Sequence, residues 1–155
     1  MSGDGVDDPR DGEHLRAALA EAAAALAAGD PPFGSVLVDG AGRTIGRARN
    51  TTVTDADIAA HPELTLARIA ARQLTREEAA AATLYTSCEP CPMCANAIAR
   101  AAIGRVVFAL STQQLAELKP AGYRNPDAGV ATYVGPALLD EARAAIGNYY
   151  GTVEA

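Results

Sequence analysis

Two short segments hold side chains capable of metal binding and proton transfer. His61-Pro62-Glu63 opens one predicted helix, and Pro90-Cys91-Pro92-Met93-Cys94 opens the next. An imidazole and two thiolates are borderline-soft donors suited to a tetrahedral Zn²⁺. The Cys-x-x-Cys spacing at a helix start puts both sulfurs on one side, a turn apart, and the positive end of the helix dipole favours their thiolate forms. Three protein ligands leave the fourth position of such an ion to water, whose pKa falls from ~15.7 to about 7. Glu63 lies near enough to His61 to face that water without binding the ion. A carboxylate there can take the water's proton and pass it to a substrate nitrogen.

These segments must be held by the elements around them. Residues 1–12 are acidic and polar and read as a disordered lead-in. Residues 13–28, alanine-rich with Leu15, Leu19 and Leu26 at near-helical spacing, predict a helix stopped by Gly29. Residues 35–38 and 44–49 flank an Asp39-Gly40-Ala41-Gly42 turn and predict a β-hairpin. A polar loop over 50–60 leads to a helix over 62–74, with Leu66, Ile69, Ala70 and Leu74 on one face. A strand over 83–86 follows, then a helix over 91–100 with Met93, Ala97 and Ile98 inward, and a strand over 105–110. The remainder predicts a short helix over 112–118, a loop, a strand over 131–134 and a helix over 136–146 with Pro136 in its first turn. A hairpin followed by alternating helix and strand implies an α/β domain over 13–147, a mixed sheet with helices on both faces.

The pairing of His-x-Glu with Pro-Cys-x-x-Cys is the signature of zinc deaminases acting on cytosine or adenine. The chain resembles the cytidine and deoxycytidylate deaminase superfamily over residues 13–118. The stretch from Thr86 through Ser87, Cys88, Glu89 and Pro90 to Cys94 is most similar to its guanine and transfer-RNA adenosine deaminase branch. Pro32-Phe33-Gly34-Ser35-Val36-Leu37-Val38 resembles that branch's first strand, and Arg49-Asn50 falls where its base-binding Asn sits. The resemblance implies a three-layer cytidine-deaminase-like fold, with five strands and the last two parallel. It implies that His61, Cys91 and Cys94 hold Zn²⁺ and that Glu63 shuttles protons. Asn50 would bond the base edge, and Phe33 would line or stack the pocket. Pro62 stands where the branch usually has a small residue whose N–H contacts substrate, so the contact at Pro62 is lost. Guanine deaminases carry an acidic pair after a Gly-aromatic step, whereas Gly122-Tyr123 is followed here by Arg124-Asn125. Relatives in this branch are commonly dimers. In guanine deaminases a C-terminal tail closes over a site, so residues 148–155 are a candidate lid.

Composition narrows the choice of substrate. The 155 residues carry Lys+Arg 13 against Asp+Glu 19, a net charge of -6, which disfavours a broad nucleic-acid surface. The expected activity is therefore deamination of a free nucleobase or nucleoside, with ammonia released. The alternatives are editing of a transfer-RNA adenosine, which needs a phosphate-tracking patch such as Arg100, Arg105 and Arg124 would form, and a non-catalytic zinc module with Cys88 as fourth ligand. A redox-active Cys-x-x-Cys would not need the His61–Glu63 pair. No apolar run approaches the ~20 residues of a membrane span. The N-terminus lacks a signal-peptide pattern, and three clustered cysteines suit a reducing, cytoplasmic setting.

Overall fold

The computed structural model describes residues 8–152. The element order is α1 (Pro9–Ala27), β1 (Gly34–Val38), β2 (Thr44–Arg49), α2 (Pro62–Gln73), α3 (Arg76–Ala81), β3 (Thr83–Cys88), α4 (Pro92–Arg100), β4 (Arg105–Leu110), α5 (Thr112–Glu117), α6 (Leu139–Ile146) and α7 (Tyr149–Thr152). Two compact units result, 1–120 and 121–155.

In the first unit the strands lie in the order β2-β1-β3-β4. The two junctions of β1, with β2 and with β3, are antiparallel, and β3–β4 is parallel. Strands β1 and β3 are central and buried along almost their whole length. Their alternation divides the core. Leu37 and Leu84 point to one face with Leu66, Ala67 and Ala70 of α2 and Ile98 of α4, while Val36, Val38 and Tyr85 point to the other with Leu15 and Ala18 of α1. The result is three layers, α1 over one face and α2 with α4 over the other.

Helix α1 begins earlier than the composition suggests. Asp8 caps it by accepting from the Arg10 N–H at 2.9 Å, and Pro9 occupies its first turn. Residues 8–12 of the expected lead-in are thus ordered, whereas residues 1–7 lie outside the described residues. Asp11 is buried at 2% exposure and tied to the sheet, taking both guanidinium bonds of Arg105 (2.8 and 2.6 Å) and the Tyr85 hydroxyl (2.7 Å). Bonding from Arg105 holds the Asp11 carboxyl at about 2 against the burial that opposes it. Polar composition concealed this anchor because the partners lie on β3 and β4.

The buried stripe of α1 runs through Leu15, Ala18, Ala22 and Ala25, while Leu19 and Leu26 turn outward. The cause is close packing on β1. A Cβ at Gly34 would come 2.5 Å from the Ala18 carbonyl oxygen and would also strike the Ala22 backbone nitrogen. Only small residues on both sides allow that approach. On α4, Met93 is likewise 38% exposed rather than inward, and Cys94 takes the buried position.

The sheet has four strands among the described residues, not five. Residues 131–134 form no ladder, and Tyr133 and Val134 are exposed. Four residues bounded by Gly129–Val130 and Gly135–Pro136 bury nothing here, and strand propensity needs packing neighbours to act. Residues 131–134 fall in the second of the two compact units. In the second, the helix expected from Pro136 starts at Leu139, after a cis Gly135–Pro136 bond, and runs to Ile146. Tyr149 and Tyr150 of α7 meet edge to face at 5.0 Å, and residues 153–155 of the expected lid lie outside the described residues.

Candidate functional site

Helices α2 and α4 start in the same way. Each has proline in its first turn and an extended N-cap residue, His61 (φ -86°, ψ 139°) for α2 and Cys91 (φ -65°, ψ 165°) for α4. The residue before a proline is driven out of the helical region, so the X-Pro step itself sets this geometry. Neither N-cap side chain bonds its own helix. Both are therefore free for another partner, and the two helices pack together so that they face one another.

The three ligand atoms converge. His61 Nδ1 lies 3.6 Å from Cys91 Sγ and 3.5 Å from Cys94 Sγ, and the three atoms fall within 4.8 Å of each other. Bond lengths of ~2.3 Å to sulfur and ~2.0 Å to nitrogen at a tetrahedral angle require an N···S edge of about 3.5 Å. The spacing fits Zn²⁺. The chemistry of the donors agrees: burial first, then the Glu63 carboxylate and Cys91, pushes the Cys94 thiol far up. A bound divalent cation would offset that cost at Cys94 by favouring its thiolate. Cys88 stands outside the ligand group. It is buried at 5% exposure with its thiol pushed up, chiefly by burial and next by Glu63.

Glu63, the second residue of α2, is 5% exposed. Its Oε1 accepts from the Thr86 hydroxyl at 2.7 Å, and its Oε2 sits 3.6 Å from Cys94 Sγ. A buried carboxylate without a salt bridge is costly unless hydrogen-bonded, and here the positive ends of α2 and α4 add to the hydroxyl.

One cavity of about 80 Å³ joins these groups. His61, Pro62, Glu63 and Cys91 line it together with Phe33 and Asn50, so all the expected site residues border it except Cys94, which is fully buried. Phe33 and Asn50 are neighbours across the hairpin base, the Asn50 N–H donating to the Phe33 carbonyl at 2.9 Å. Asn50 Oδ1 accepts from the Thr52 N–H (2.9 Å) and hydroxyl (2.8 Å), and Asn50 borders the cavity. The loop carrying these groups is secured by buried Asp30, which accepts from the Val53 and Thr54 N–H groups and the Thr54 hydroxyl. Glu89 braces the far wall, its Oε2 accepting from the Thr112 N–H at 2.8 Å, a bond that lowers its pKa.

Sequence reasoning missed Leu115 of α5, which closes one wall, and Thr86, which holds Glu63. Leu115 offered no signal, since its helix is remote in sequence. Thr86 did: two adjacent hydroxyls, Thr86-Ser87, interrupt a strand that is otherwise apolar enough for the core.

An imidazole, two sulfurs and an unligated carboxylate around one cavity, at the helix starts of a three-layer α/β unit, define a zinc-type hydrolase site. The profile of the cytidine and deoxycytidylate deaminase zinc-binding region matches residues 9–110, and the chain belongs to that family. It is 40% identical over 101 residues to the tRNA-specific adenosine deaminase of Haemophilus influenzae, covering 65% of this chain and 58% of that relative. It is 35% identical over 145 residues to a probable cytosine deaminase of Schizosaccharomyces pombe, covering 86% and 88%. The X-ray structure of guanine deaminase from Bacillus subtilis superposes with a TM-score of 0.73 at 28% identity, covering 93% of this chain and 96% of that one. The chain thus spans little more than half of the first relative and most of the second. No helix among the described residues is long and apolar enough to cross a membrane.

Proposed function

We propose that the protein is a zinc-dependent hydrolytic deaminase of a free nucleobase or nucleoside. The observation that carries this reading is the convergence of His61, Cys91 and Cys94 beside an unligated, buried Glu63 on one small cavity. Bound zinc would supply the Lewis acidity that makes water a nucleophile at neutral pH. The protein's own groups would do the rest. Glu63 takes a proton from the attacking water and delivers it to the ring nitrogen beside the amine-bearing carbon. It then carries the remaining hydroxyl proton to the departing amine, so the carbon gains a carbonyl and ammonia leaves. The Asn50 amide presents donors, which suits a ring nitrogen or carbonyl oxygen on the substrate. Pro62 has no N–H to add a backbone donor at the cavity wall, so orientation falls more heavily on Asn50 and on packing against Phe33.

Ammonia release across a panel of nucleobases and nucleosides tests this directly. Glu63→Gln keeps the shape and the bond from Thr86, so zinc should stay bound while turnover falls by at least ~10²–10⁴-fold. A Glu63→Gln variant that still released ammonia at the wild-type rate would refute the assigned role.

A second reading, editing of adenosine in transfer RNA, draws on the 40% identity to the Haemophilus enzyme. The net charge of -6 counts against it. Retention of transfer RNA on filters that weakens steeply between two salt concentrations would favour it.

A further inference from the structure

Beneath the catalytic cavity lies a chain of hydroxyls that the deamination chemistry does not itself require. Ser35 of β1 and Thr86 of β3 face each other across the antiparallel pair, and both are fully buried. The Ser35 hydroxyl donates to Thr86 Oγ1 at 2.9 Å, and the Thr86 hydroxyl donates to Glu63 Oε1 at 2.7 Å.

The direction of these bonds follows from counting protons. The Thr86 hydroxyl donates to Glu63 Oε1 at 2.7 Å, so its proton lies on that bond. Thr86 has one proton, so the bond between the hydroxyls must be supplied by Ser35. The rival acceptor for Thr86, the Gly34 carbonyl, stands at 3.5 Å, too long to compete. The two carboxylate oxygens are thus held apart in role: Oε1 accepts from Thr86 on the sheet, and Oε2 accepts from Cys94 Sγ at 3.6 Å, beside the ligand group.

We propose that Thr86, itself set by Ser35, is a positioning residue that fixes the Glu63 carboxylate by Oε1 and so makes Oε2 the working oxygen of the proton shuttle. The sheet thereby orients a side chain that belongs to α2, through contacts that reach neither substrate nor metal. Ser35 acts one step further away and has the smaller effect. The inference rests on the deaminase reading for its consequence in turnover, but its geometric half stands apart from it.

The test compares Thr86→Val, Thr86→Ser and Ser35→Ala in the zinc-loaded protein. Thr86→Val keeps the shape and deletes the donor; kcat should fall about ten- to a hundredfold, the factor a hydrogen bond to a charged group is worth. KM and zinc content should change less than about twofold, since neither depends on the carboxylate's rotation. Thr86→Ser should restore most of kcat, and Ser35→Ala should cost only a few-fold. Equal impairment of the serine and valine variants would mean that the methyl, and hence packing, is what matters, and would overturn the proposal. So would an unchanged kcat in Thr86→Val. If Thr86→Val does not fold, Ser35→Ala decides, an unchanged kcat there ruling out the relay. A crystal structure of the Thr86→Val variant gives a readout free of activity: the carboxylate should leave its present orientation. Finding it unmoved refutes the positioning role, whereas wild-type protein inert toward the whole substrate panel refutes only the deaminase reading.

Discussion

Replacing Asp11 with asparagine removes the charge by which the start of α1 is fastened to the sheet while keeping its shape. Arg105 and Tyr85 bring three hydrogen bonds to this one carboxylate, and its pKa stands at about 2 against an ordinary 3.8. Taken at face value that depression is worth about 2.5 kcal/mol at neutral pH. Arg105 is 52% exposed, so solvent screening reduces the figure to about 1–2 kcal/mol. A carboxylate with a lowered native pKa stabilises the fold fully above its unfolded value near 3.8 and loses that contribution as pH falls through about 2. Asparagine cannot titrate. The stability gap between wild type and Asp11→Asn should therefore be largest at pH 7 and shrink to roughly half by about pH 3. Urea unfolding of both proteins at the two pH values, followed by circular dichroism, reads the gap, and any loss of metal in acid is common to both and cancels. A gap independent of pH, or none at pH 7, would show that the ion pair is decorative and that α1 is held by its apolar stripe alone.

Removal of the metal should act on turnover and stability together. Dialysis against a chelator should abolish ammonia release, lower the melting temperature and be reversed by added zinc, and Cys91→Ser should bind zinc at least tenfold more weakly; a chelated protein of unchanged activity would sink the metal assignment. The tail is tested by deletion: the lid that the family resemblance implies for residues 148–155 requires a lower kcat or a higher KM without them, and kinetics identical to wild type would dismiss it.

How much of this was legible in the sequence differs from element to element. Strand β4 was readable to its ends, because Arg-Val-Val-Phe-Ala-Leu is β-branched and apolar and is bounded by Gly104 and Ser111. The starts of α2 and α4 were readable because proline dictates local backbone whatever surrounds it. By contrast, the 131–134 segment has strand-like residues but no neighbour to pair with among the described residues, and the leucines of α1 were outweighed by the need for a close approach at Gly34. Helix α3 went unread since its six residues, after Thr75, are distinguished only by a capping box.

Short-range chain chemistry sets the donors and their local setting: an imidazole and a thiol each placed before a proline, a second thiol one turn on, and a carboxylate one residue beyond proline on the first helix. Those are relations within a few residues, fixed by covalent geometry and helical pitch. Folding alone makes the two helix starts meet at ligand distance and brings Ser35 and Thr86 up to support Glu63 from the sheet. The partners in those contacts stand 23 to 51 residues apart. No local rule relates residues so distant; the register of β1 on β3 and the packing of α2 on α4 bring them together.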